Sequence, residues 1–115
     1  MKKNNLVYIA GPISAPTLEE KYTNIDKGKK VAELLAEKGI NFFCPHTHSA
    51  DFGHLAPVGF WYEQDLKFLA ICDLFLLLPG WEDSKGCLVE KEFAVLNNKK
   101  IFYSIDDLLN YLDGK

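Results

Sequence analysis

Residues 64–94 read QDLKFLAICDLFLLLPGWEDSKGCLVEKEFA, and this stretch decides the fold. Its centre, Leu74–Leu78, is a run of five apolar residues that Pro79 and Gly80 end. A uniformly apolar run of this length is typical of a strand buried on both faces of a parallel sheet. Because ligands of open parallel sheets bind beyond the carboxyl ends of the strands, the turn from Pro79 to Gly86 is predicted to border a site.

Three more strands and four helices are predicted around this run. The strands are predicted at Leu6–Ala10, Ile40–Cys44 and Lys99–Tyr103. The helices are predicted from Thr17 to Gly39, from Phe60 to Ile71, from Ser84 to Asn97, and after Ser104. Strand and helix alternate throughout, which predicts an α/β fold whose parallel sheet of four to five strands carries helices on both faces.

Two details of this pattern are specific enough to check. Thr17-Leu-Glu-Glu20 has capping-box form, so the Thr17 hydroxyl is expected to accept from the Glu20 amide while the Glu20 side chain returns to the Thr17 amide. His46–Pro57 has no sustained period and is predicted to be a loop of about a dozen residues, long enough to carry function.

Size and charge limit the classes of function. The 115 residues fit one domain, residues 1–115, because smaller pieces could not bury a core. The chain carries 13 basic and 16 acidic residues and a net charge of -3, which argues against binding to a nucleic-acid polymer. A small-molecule ligand is therefore the expected partner.

The cysteines and the apolar runs bear on the compartment. Cys44, Cys72 and Cys87 show no zinc-site spacing and are predicted to be buried thiols in a reducing cytosol. We find no apolar run of the kind that a signal peptide or a membrane span needs. A cytoplasmic protein without a membrane partner is expected.

Two carboxylates flank the predicted site. Glu90 follows Gly86 by one helical turn, and Asp65 precedes the buried strand. Taken alone, Glu90 would be a solvated surface residue and Asp65, near a helix start, would complement the helix dipole. Taken together, they form the pair that glycosyl chemistry uses, one group attacking C1 of a sugar and the other moving a proton. Asp73, at the strand start, is expected to be a structural hydrogen-bond acceptor.

Three motifs in this order resemble the nucleoside 2-deoxyribosyltransferase superfamily, including its nucleoside-5'-monophosphate N-glycosidase branch. They are Tyr8-Ile-Ala-Gly11, Asp65-x7-Asp73 and Ser84-x-Gly86-x3-Glu90. The segments AGPIS and LPGWEDSKG are most similar to those of small phage and bacterial members. The resemblance implies a flavodoxin-like (Rossmann-like) three-layer sandwich, no cofactor or metal, and a homodimer or larger oligomer in which a neighbouring subunit completes the pocket.

The resemblance also implies catalytic roles. Glu90 would be the nucleophile that captures the sugar C1, and Asp65 would be the general acid and base for the nucleobase. The hydroxyl of Tyr8 would orient Glu90. An alternative of equal weight is that Tyr8 is simply a strand tyrosine packed in the core.

Substrate-binding residues are implied at both loops that face the site. Gly11, Pro12, Ile13 and Ser14 form the first loop, and Ser84 and Gly86 open the helix that carries Glu90. In the monophosphate hydrolases a Ser stands at the Ser84 position and contacts phosphate, and Lys85 beside it would add positive charge. Against phosphate, Asp83 is adjacent, and the phosphate-binding Ser and Arg of that branch appear here as Pro12 and Ser14.

Histidines and aromatic residues complete the candidates. His46-x-His48, with Asp51 and His54, invites a metal site, but loop histidines without cysteine or paired carboxylate ligands fit a polar loop better. His48 is instead expected to contact the base. Three aromatic residues are candidates for a stacking wall: Trp61, Tyr62 and Trp81. Gly11–Ser14 matches neither a dinucleotide-binding nor an ATP-binding loop.

These features predict an enzyme that cleaves the N-glycosidic bond, or exchanges the base, of a nucleoside or nucleoside 5'-monophosphate. One alternative is a nucleotide-binding or sensing domain of the same fold without turnover. The other is a flavodoxin-like interaction module, which predicts an apolar patch in place of a cleft that holds Asp65 and Glu90.

Overall fold

Four strands form one parallel sheet in the computed structural model, which describes residues 5–114 apart from the side chain of Asp51. They are β1 (Leu6–Ala10), β2 (Asn41–Phe43), β3 (Leu74–Leu77) and β4 (Lys100–Phe102). Their order across the sheet is β2-β1-β3-β4, and every neighbouring pair is parallel. The predicted parallel sheet is confirmed. Three of its strands are shorter than predicted: β2 and β4 by one residue at each end, and β3 by one residue at its carboxyl end.

Five α-helices and two 3-10 turns connect and cover the strands. The α-helices are α1 (Leu18–Glu37), α2 (Pro45–His48), α3 (Val58–Ile71), α4 (Lys85–Leu96) and α5 (Ile105–Leu112), and the 3-10 turns are Ala50–Leu55 and Trp81–Asp83. Helices lie on both faces of the sheet, so the predicted three-layer, flavodoxin-like α/β fold is confirmed.

The two faces of the sheet belong to two separate cores. Val7 and Ile9 of β1 pack with residues of α1 and α5, whereas Tyr8 and Ala10 pack with residues of α3 and α4. This division follows from the two-residue period of a strand, which sends successive side chains to opposite faces. Every residue of β3 is buried, as the uniformly apolar run predicted.

Side chains cap the helices largely as the sequence indicated. The Glu20 amide donates to Thr17 Oγ1 at 3.1 Å, and the Asp107 amide donates to Ser104 Oγ at 3.1 Å. The predicted hydrogen bond from the Thr17 amide to the Glu20 side chain is wrong. The Glu20 carboxylate accepts from the Thr17 hydroxyl instead, at 3.1 Å. The Thr17 side chain thus caps the Glu20 amide, while the Glu20 carboxylate pairs with a side-chain hydroxyl and not with a backbone donor.

The prediction of an irregular loop from His46 to Pro57 is wrong. The segment contains α2 and the 3-10 turn Ala50–Leu55, and the indole of Trp61 fastens it by donating to the Gly53 carbonyl at 2.7 Å. Pro45 starts α2 at a position where a missing amide costs nothing. Single helical turns are too short to display a helical period, which is why the pattern did not indicate them.

Three smaller expectations concern Asp73, the cysteines and membrane spans. Asp73 accepts a hydrogen bond from the Leu6 amide through Oδ2 at 3.2 Å, so its structural role is confirmed. Cys44, Cys72 and Cys87 are free and buried, also as predicted. Within residues 5–114, the helices are too short or too polar to cross a bilayer.

Candidate active site

A cleft of ≈ 390 Å³ opens at the carboxyl edge of the sheet. In the order β2-β1-β3-β4 the chain first moves outward from β1 to β2 and then returns to the other side of β1, so β1 and β3 form the switch point of the sheet. Ala10 and Gly11 at the end of β1 line the cleft, as do Ser84 and Gly86 beyond β3. Open α/β sheets bind ligands at such a switch point, and the volume suits a small molecule.

Glu90 lies deep in this cleft and is buried. The hydroxyl of Tyr8, which is itself fully buried, donates a short hydrogen bond to Glu90 Oε2. The ring of Tyr8 stands between Phe43 and Phe75, with centroid distances of 5.6 and 5.9 Å. Tyr8 is therefore a core tyrosine whose hydroxyl also holds the carboxyl group of Glu90, so the two interpretations of this residue are compatible.

Burial dominates the electrostatics of Glu90. It raises the pKa of the carboxyl group to about 8, the hydrogen bond from Tyr8 acts to lower it, and the negative charge of Asp65 acts to raise it. Burial and the neighbouring carboxylates also raise the pKa of Tyr8 well above its ordinary value. The hydroxyl consequently remains a donor throughout the physiological pH range.

Asp65 lines the same cleft from the middle of α3. Its position excludes the alternative of a carboxylate near a helix start. Burial raises the pKa of Asp65 to about 6. Its Oδ1 atom is buried without a hydrogen-bond partner among the described residues, so one oxygen of this carboxyl group is an unsatisfied acceptor.

Asp65 and Glu90 therefore form an interacting pair inside one water-poor cleft. Their pKa values of about 6 and about 8 mean that the pair holds about one proton between these limits. Because Glu90 has the higher pKa, the shared proton lies mainly on Glu90 in this range and Asp65 is mainly the carboxylate. The pair that the sequence predicted from spacing is thus brought together in space.

The first turn of α4 forms one wall of the cleft. Ser84 is its N-cap and accepts from the Cys87 amide at 3.2 Å, which leaves the hydroxyl proton of Ser84 available to a ligand. Lys85, Gly86 and Cys87 also line the cleft. A Cβ atom at Gly86 would lie 3.5 Å from the Tyr62 ring, an ordinary van der Waals contact, so α4 and α3 approach each other closely at this point.

The first loop forms the opposite wall. Gly11, Ile13 and Ser14 line the cleft, and the carbonyl of Ile13 accepts from the Asn24 side chain of α1 at 3.3 Å. Pro12 is not among the described lining residues, and its carbonyl contacts His46 Nε2 at 3.1 Å. Pro12 therefore supports the wall from behind.

Two residues proposed to bind substrate lie elsewhere. His48 packs against Phe43 and Phe68, with ring centroids 5.1 and 5.5 Å away. Trp81 packs against Tyr103, and the Lys91 ammonium lies 4.7 Å from its ring centroid. Neither belongs to the described residues that line the cleft.

The other aromatic candidates do face the cleft. Trp61 and Tyr62 are lining residues at the start of α3. The indole of Trp61 also meets Phe60 and Phe52 edge-on, at centroid distances of 4.8 and 5.8 Å, so it combines packing with exposure to the cleft. These two rings offer the flat surface against which a base could stack.

Sequence reasoning missed part of the lining. Lys21, one helical turn beyond Thr17, reaches the cleft from α1, and its position directly after the first loop was a usable signal. Segment 45–58 adds further lining residues, because a predicted irregular loop does not indicate which of its side chains face the cleft. They are Pro45, His46, Ser49, Ala50, Gly53, Ala56 and Val58. Across the described part of the chain, no three His, Cys, Asp or Glu side chains gather as a metal site, and the side chain of Asp51 lies outside that part.

Comparison with known proteins identifies a family without a described activity. The family described as "Domain of unknown function (DUF4406)" matches residues 5–103, which include Tyr8, Asp65 and Glu90. No curated protein matches the chain. The interpretation of the cleft therefore depends on its own chemistry.

Proposed function

The chain belongs to the DUF4406 family of domains of unknown function, and from the chemistry of its cleft we propose that it cleaves or exchanges the N-glycosidic bond of a nucleoside or nucleoside 5'-monophosphate. The observation that carries the proposal is the carboxyl pair: Glu90, which is buried and held by Tyr8, shares one cleft with the partly buried Asp65. The motif order that resembles the nucleoside 2-deoxyribosyltransferase superfamily supports the same chemistry.

The first step uses the less populated form of the pair, in which Asp65 holds the shared proton and Glu90 is the carboxylate. A Glu90 carboxylate oxygen forms a bond to C1' of the sugar as the bond from C1' to the base breaks. The electron pair of that bond goes to the base nitrogen, which takes a proton from the Asp65 carboxylic acid. Because Tyr8 occupies Oε2 of Glu90, we assign the attack to Oε1. The burial of the pair strengthens the electrostatic interactions on which both events depend.

In the second step, Asp65 acts as the base. Its carboxylate takes a proton from water, or from the N–H of an incoming base, while that oxygen or nitrogen bonds to C1' and the ester to Glu90 breaks. Glu90 returns as a carboxylate and Asp65 as an acid, so the pair is restored. No step calls on a cofactor or metal.

The cleft also supports the proposed class of partner. Its volume of ≈ 390 Å³ fits a small ligand, and Trp61 and Tyr62 provide aromatic surface beside the two carboxyl groups. Lys21 and Lys85 add positive charge at the same cleft and favour a substrate that carries a phosphate group, whereas Asp83, which also lines it, opposes one. The three free, buried thiols agree with a cytoplasmic location.

We also propose a homodimer or larger oligomer that covers the cleft. Leu55 and Val58, which are 71% and 64% exposed, lie in the segment that lines it, and exposed apolar groups of this size favour contact with another chain. Sedimentation of the wild-type protein and of Leu55→Asp tests this. The wild type should sediment as an oligomer and Leu55→Asp as a smaller species, whereas a monomeric wild type would contradict the proposal.

A nucleotide-binding domain without turnover is the second candidate. The pKa of Glu90, raised to about 8, favours it, because a largely protonated carboxyl group is a poor nucleophile at neutral pH but can still donate a hydrogen bond to a ligand. An interaction module is less well supported, since the cleft contains both carboxyl groups. Binding without base release by the wild type would favour the second candidate over the enzyme.

The test is a panel of nucleosides and nucleoside 5'-monophosphates, with free base measured by chromatography. Wild-type protein should release base from at least one compound. Glu90→Gln and Asp65→Asn should each lose at least about 100-fold in rate, because each removes a group that acts in the transition state.

Matched controls lie on the same two helices. Glu92→Gln on α4 and Glu63→Gln on α3 remove exposed carboxylates and should leave the rate unchanged. Absence of base release from every compound, or equal losses in the control variants, would overturn the proposed activity.

A further inference from the structure

The ring of His46 joins three parts of the fold behind the first loop. It is buried, with 4% of its surface exposed. Its Nε2 atom lies 3.1 Å from the Pro12 carbonyl oxygen, and its Nδ1 atom lies 3.6 Å from Cys44 Sγ. The thiol of Cys44 in turn lies 3.8 Å from the Gly28 carbonyl oxygen of α1.

These contacts determine where the proton of the ring lies. The carbonyl of Pro12 can only accept, so Nε2 must carry the hydrogen. In the neutral ring Nδ1 is then an acceptor, and the single S–H of Cys44 can donate either to it or to the Gly28 carbonyl. Burial raises the pKa of Cys44, which keeps that thiol protonated, and burial lowers the pKa of His46, which keeps the ring neutral.

The close approach of the His46 ring explains why position 28 is a glycine. A Cβ atom there would lie 2.2 Å from Cγ and 2.5 Å from Cδ2 of His46, so any side chain at position 28 would force the ring to move. Glycine in the middle of a long helix costs stability relative to alanine, and close approach of another group explains its presence. Gly28 of α1 and His46 of α2 thus form one packed unit.

His46 is itself one of the residues that line the cleft, and its ring also bears on the cleft through the first loop. Gly11, Ile13 and Ser14 line the cleft, and Pro12 stands between them with its carbonyl turned to His46. The next carbonyl, of Ile13, is held by Asn24. Two consecutive carbonyl groups of the loop are therefore fixed by side chains from outside it.

We propose that His46, as the neutral ring with its proton on Nε2, is the positioning residue that holds the loop Gly11–Ser14 in its substrate-binding conformation. Its effect on turnover rests on the proposed function, whereas its tautomer and its hold on the loop do not. A residue that shapes a binding wall without touching the reacting atoms should change KM more than kcat.

The kinetic test uses whichever compound of the nucleoside and monophosphate panel releases base. His46→Phe keeps a ring and loses the N–H, and we expect KM to rise about tenfold with kcat within about threefold. His46→Gln keeps an N–H that can reach the Pro12 carbonyl, so KM should stay within about threefold of wild type. Gly28→Ala should reproduce the His46→Phe result by displacing the ring.

Gly59→Ala is the matched control, because it is also a helical glycine and nothing lies within 4 Å of its added Cβ atom. It should leave KM and kcat unchanged. Equal KM values for His46→Phe and His46→Gln, or a loss confined to kcat, would overturn the proposal.

Two NMR measurements decide the structural part without any substrate. Long-range proton–nitrogen spectra of the wild type should show His46 protonated on Nε2 alone at neutral pH, with its signals assigned by their loss in His46→Gln. The backbone order parameters of Ile13 and Ser14 should lie in the rigid range, about 0.85, in the wild type. In His46→Phe they should fall below about 0.6. A ring protonated on Nδ1, or unchanged order parameters in His46→Phe, would overturn the proposal even if no compound in the panel is turned over.

Discussion

The hydroxyl of Tyr8 donates a hydrogen bond to Oε2 of Glu90, a residue 82 positions later in the chain. One residue belongs to the central strand β1 and the other to α4, and both are buried. Because the phenol remains protonated, the bond fixes one oxygen of the carboxyl group whatever the pH of the solution in the physiological range. This contact defines how Glu90 faces the cleft.

Tyr8→Phe should lower kcat/KM for base release by about 10- to 100-fold, because a hydrogen bond to a charged group is lost and Oε2 is left unpaired in a buried site. The phenyl ring should keep the packing with Phe43 and Phe75, so the loss of stability should be limited to the cost of the unpaired carboxyl oxygen, about 1–3 kcal/mol. Steady-state kinetics and thermal unfolding measure the two effects.

The control for this variant is Tyr103→Phe, which removes the hydroxyl of an exposed tyrosine and keeps its ring against Trp81. It should have the activity of the wild type. An unchanged kcat/KM in Tyr8→Phe would show that the hydrogen bond does not contribute to the reaction.

The dependence of kcat/KM on pH should be bell-shaped. Burial raises the pKa values of Asp65 and Glu90 to about 6 and about 8. Below the lower value both groups are protonated and no carboxylate can attack, and above the upper value both are ionised and no acid can protonate the base. The maximum should lie between the two limits, which belong to the pair as a whole.

Asp65→Asn provides the check on this assignment. It leaves one titrating group, so its residual kcat/KM should follow a single ionisation. A flat profile for the wild type across the same range, or a bell that persists in Asp65→Asn, would contradict the shared-proton account.

Much of this architecture could be predicted because it follows from local patterns. The apolar run at Leu74–Leu78 and the alternation of strand and helix patterns along the chain specify a buried parallel sheet, and ligands collect at its carboxyl edge. Glu90 and Asp65 could be paired from their positions around that run. Their burial and the contact between Glu90 and Tyr8 depend on how α3 and α4 pack, which no local pattern contains.

The errors have the same origin. Segment 46–57 folds as single helical turns that are tied down by Trp61, and one turn is too short for periodicity to register. His48 and Trp81 looked like ligand contacts because both lie near the predicted site in sequence. In the fold each packs against neighbouring side chains instead, and long-range contacts decided which way they turn.

Glu90→Gln should stabilise the protein at alkaline pH. The pKa of Glu90 is raised in the folded state, so folding favours the protonated carboxyl group. The stability that protonation of Glu90 contributes is lost as the pH rises from the pKa of Glu90 in the unfolded chain to its folded pKa of about 8. Glutamine is neutral and can still accept from Tyr8. At alkaline pH the free energy of unfolding of the variant should exceed that of wild type by about 2–4 kcal/mol.

Urea unfolding at acidic and alkaline pH measures this difference, and Glu92→Gln on the same helix is the control. The advantage of Glu90→Gln should shrink as the pH falls. An advantage that is the same at both ends of the pH range, or one shared by Glu92→Gln, would mean that ionisation of Glu90 is not its cause.

Substitutions at Ser84 separate its role as the N-cap of α4 from its effect on the preference for a monophosphate over a nucleoside. Ser84→Ala removes the N-cap acceptor for the Cys87 amide and should lower the free energy of unfolding by about 0.5–2 kcal/mol. Ser84→Asp keeps a capping oxygen and should be close to wild type in stability. Its negative charge would repel a phosphate bound beside Lys85, so the ratio of activity on a monophosphate to activity on the matching nucleoside should fall at least about tenfold.

That ratio is measured by release of the same base from the two compounds. A ratio in Ser84→Asp equal to that of wild type would place any phosphate away from the first turn of α4. A loss of stability in Ser84→Asp as large as that in Ser84→Ala would contradict the capping argument.

The most direct measurement for the account as a whole is the mass of the protein after reaction with a 2'-deoxy-2'-fluoro analogue of the compound from which base is released. The fluorine destabilises the positive charge that develops at C1', so an ester formed in the first step should accumulate. We expect one equivalent of free base and one added glycosyl group, located by peptide mapping at Glu90 and absent from Glu90→Gln. Release of base with no adduct, or with an adduct on another residue, would contradict Glu90 as the nucleophile.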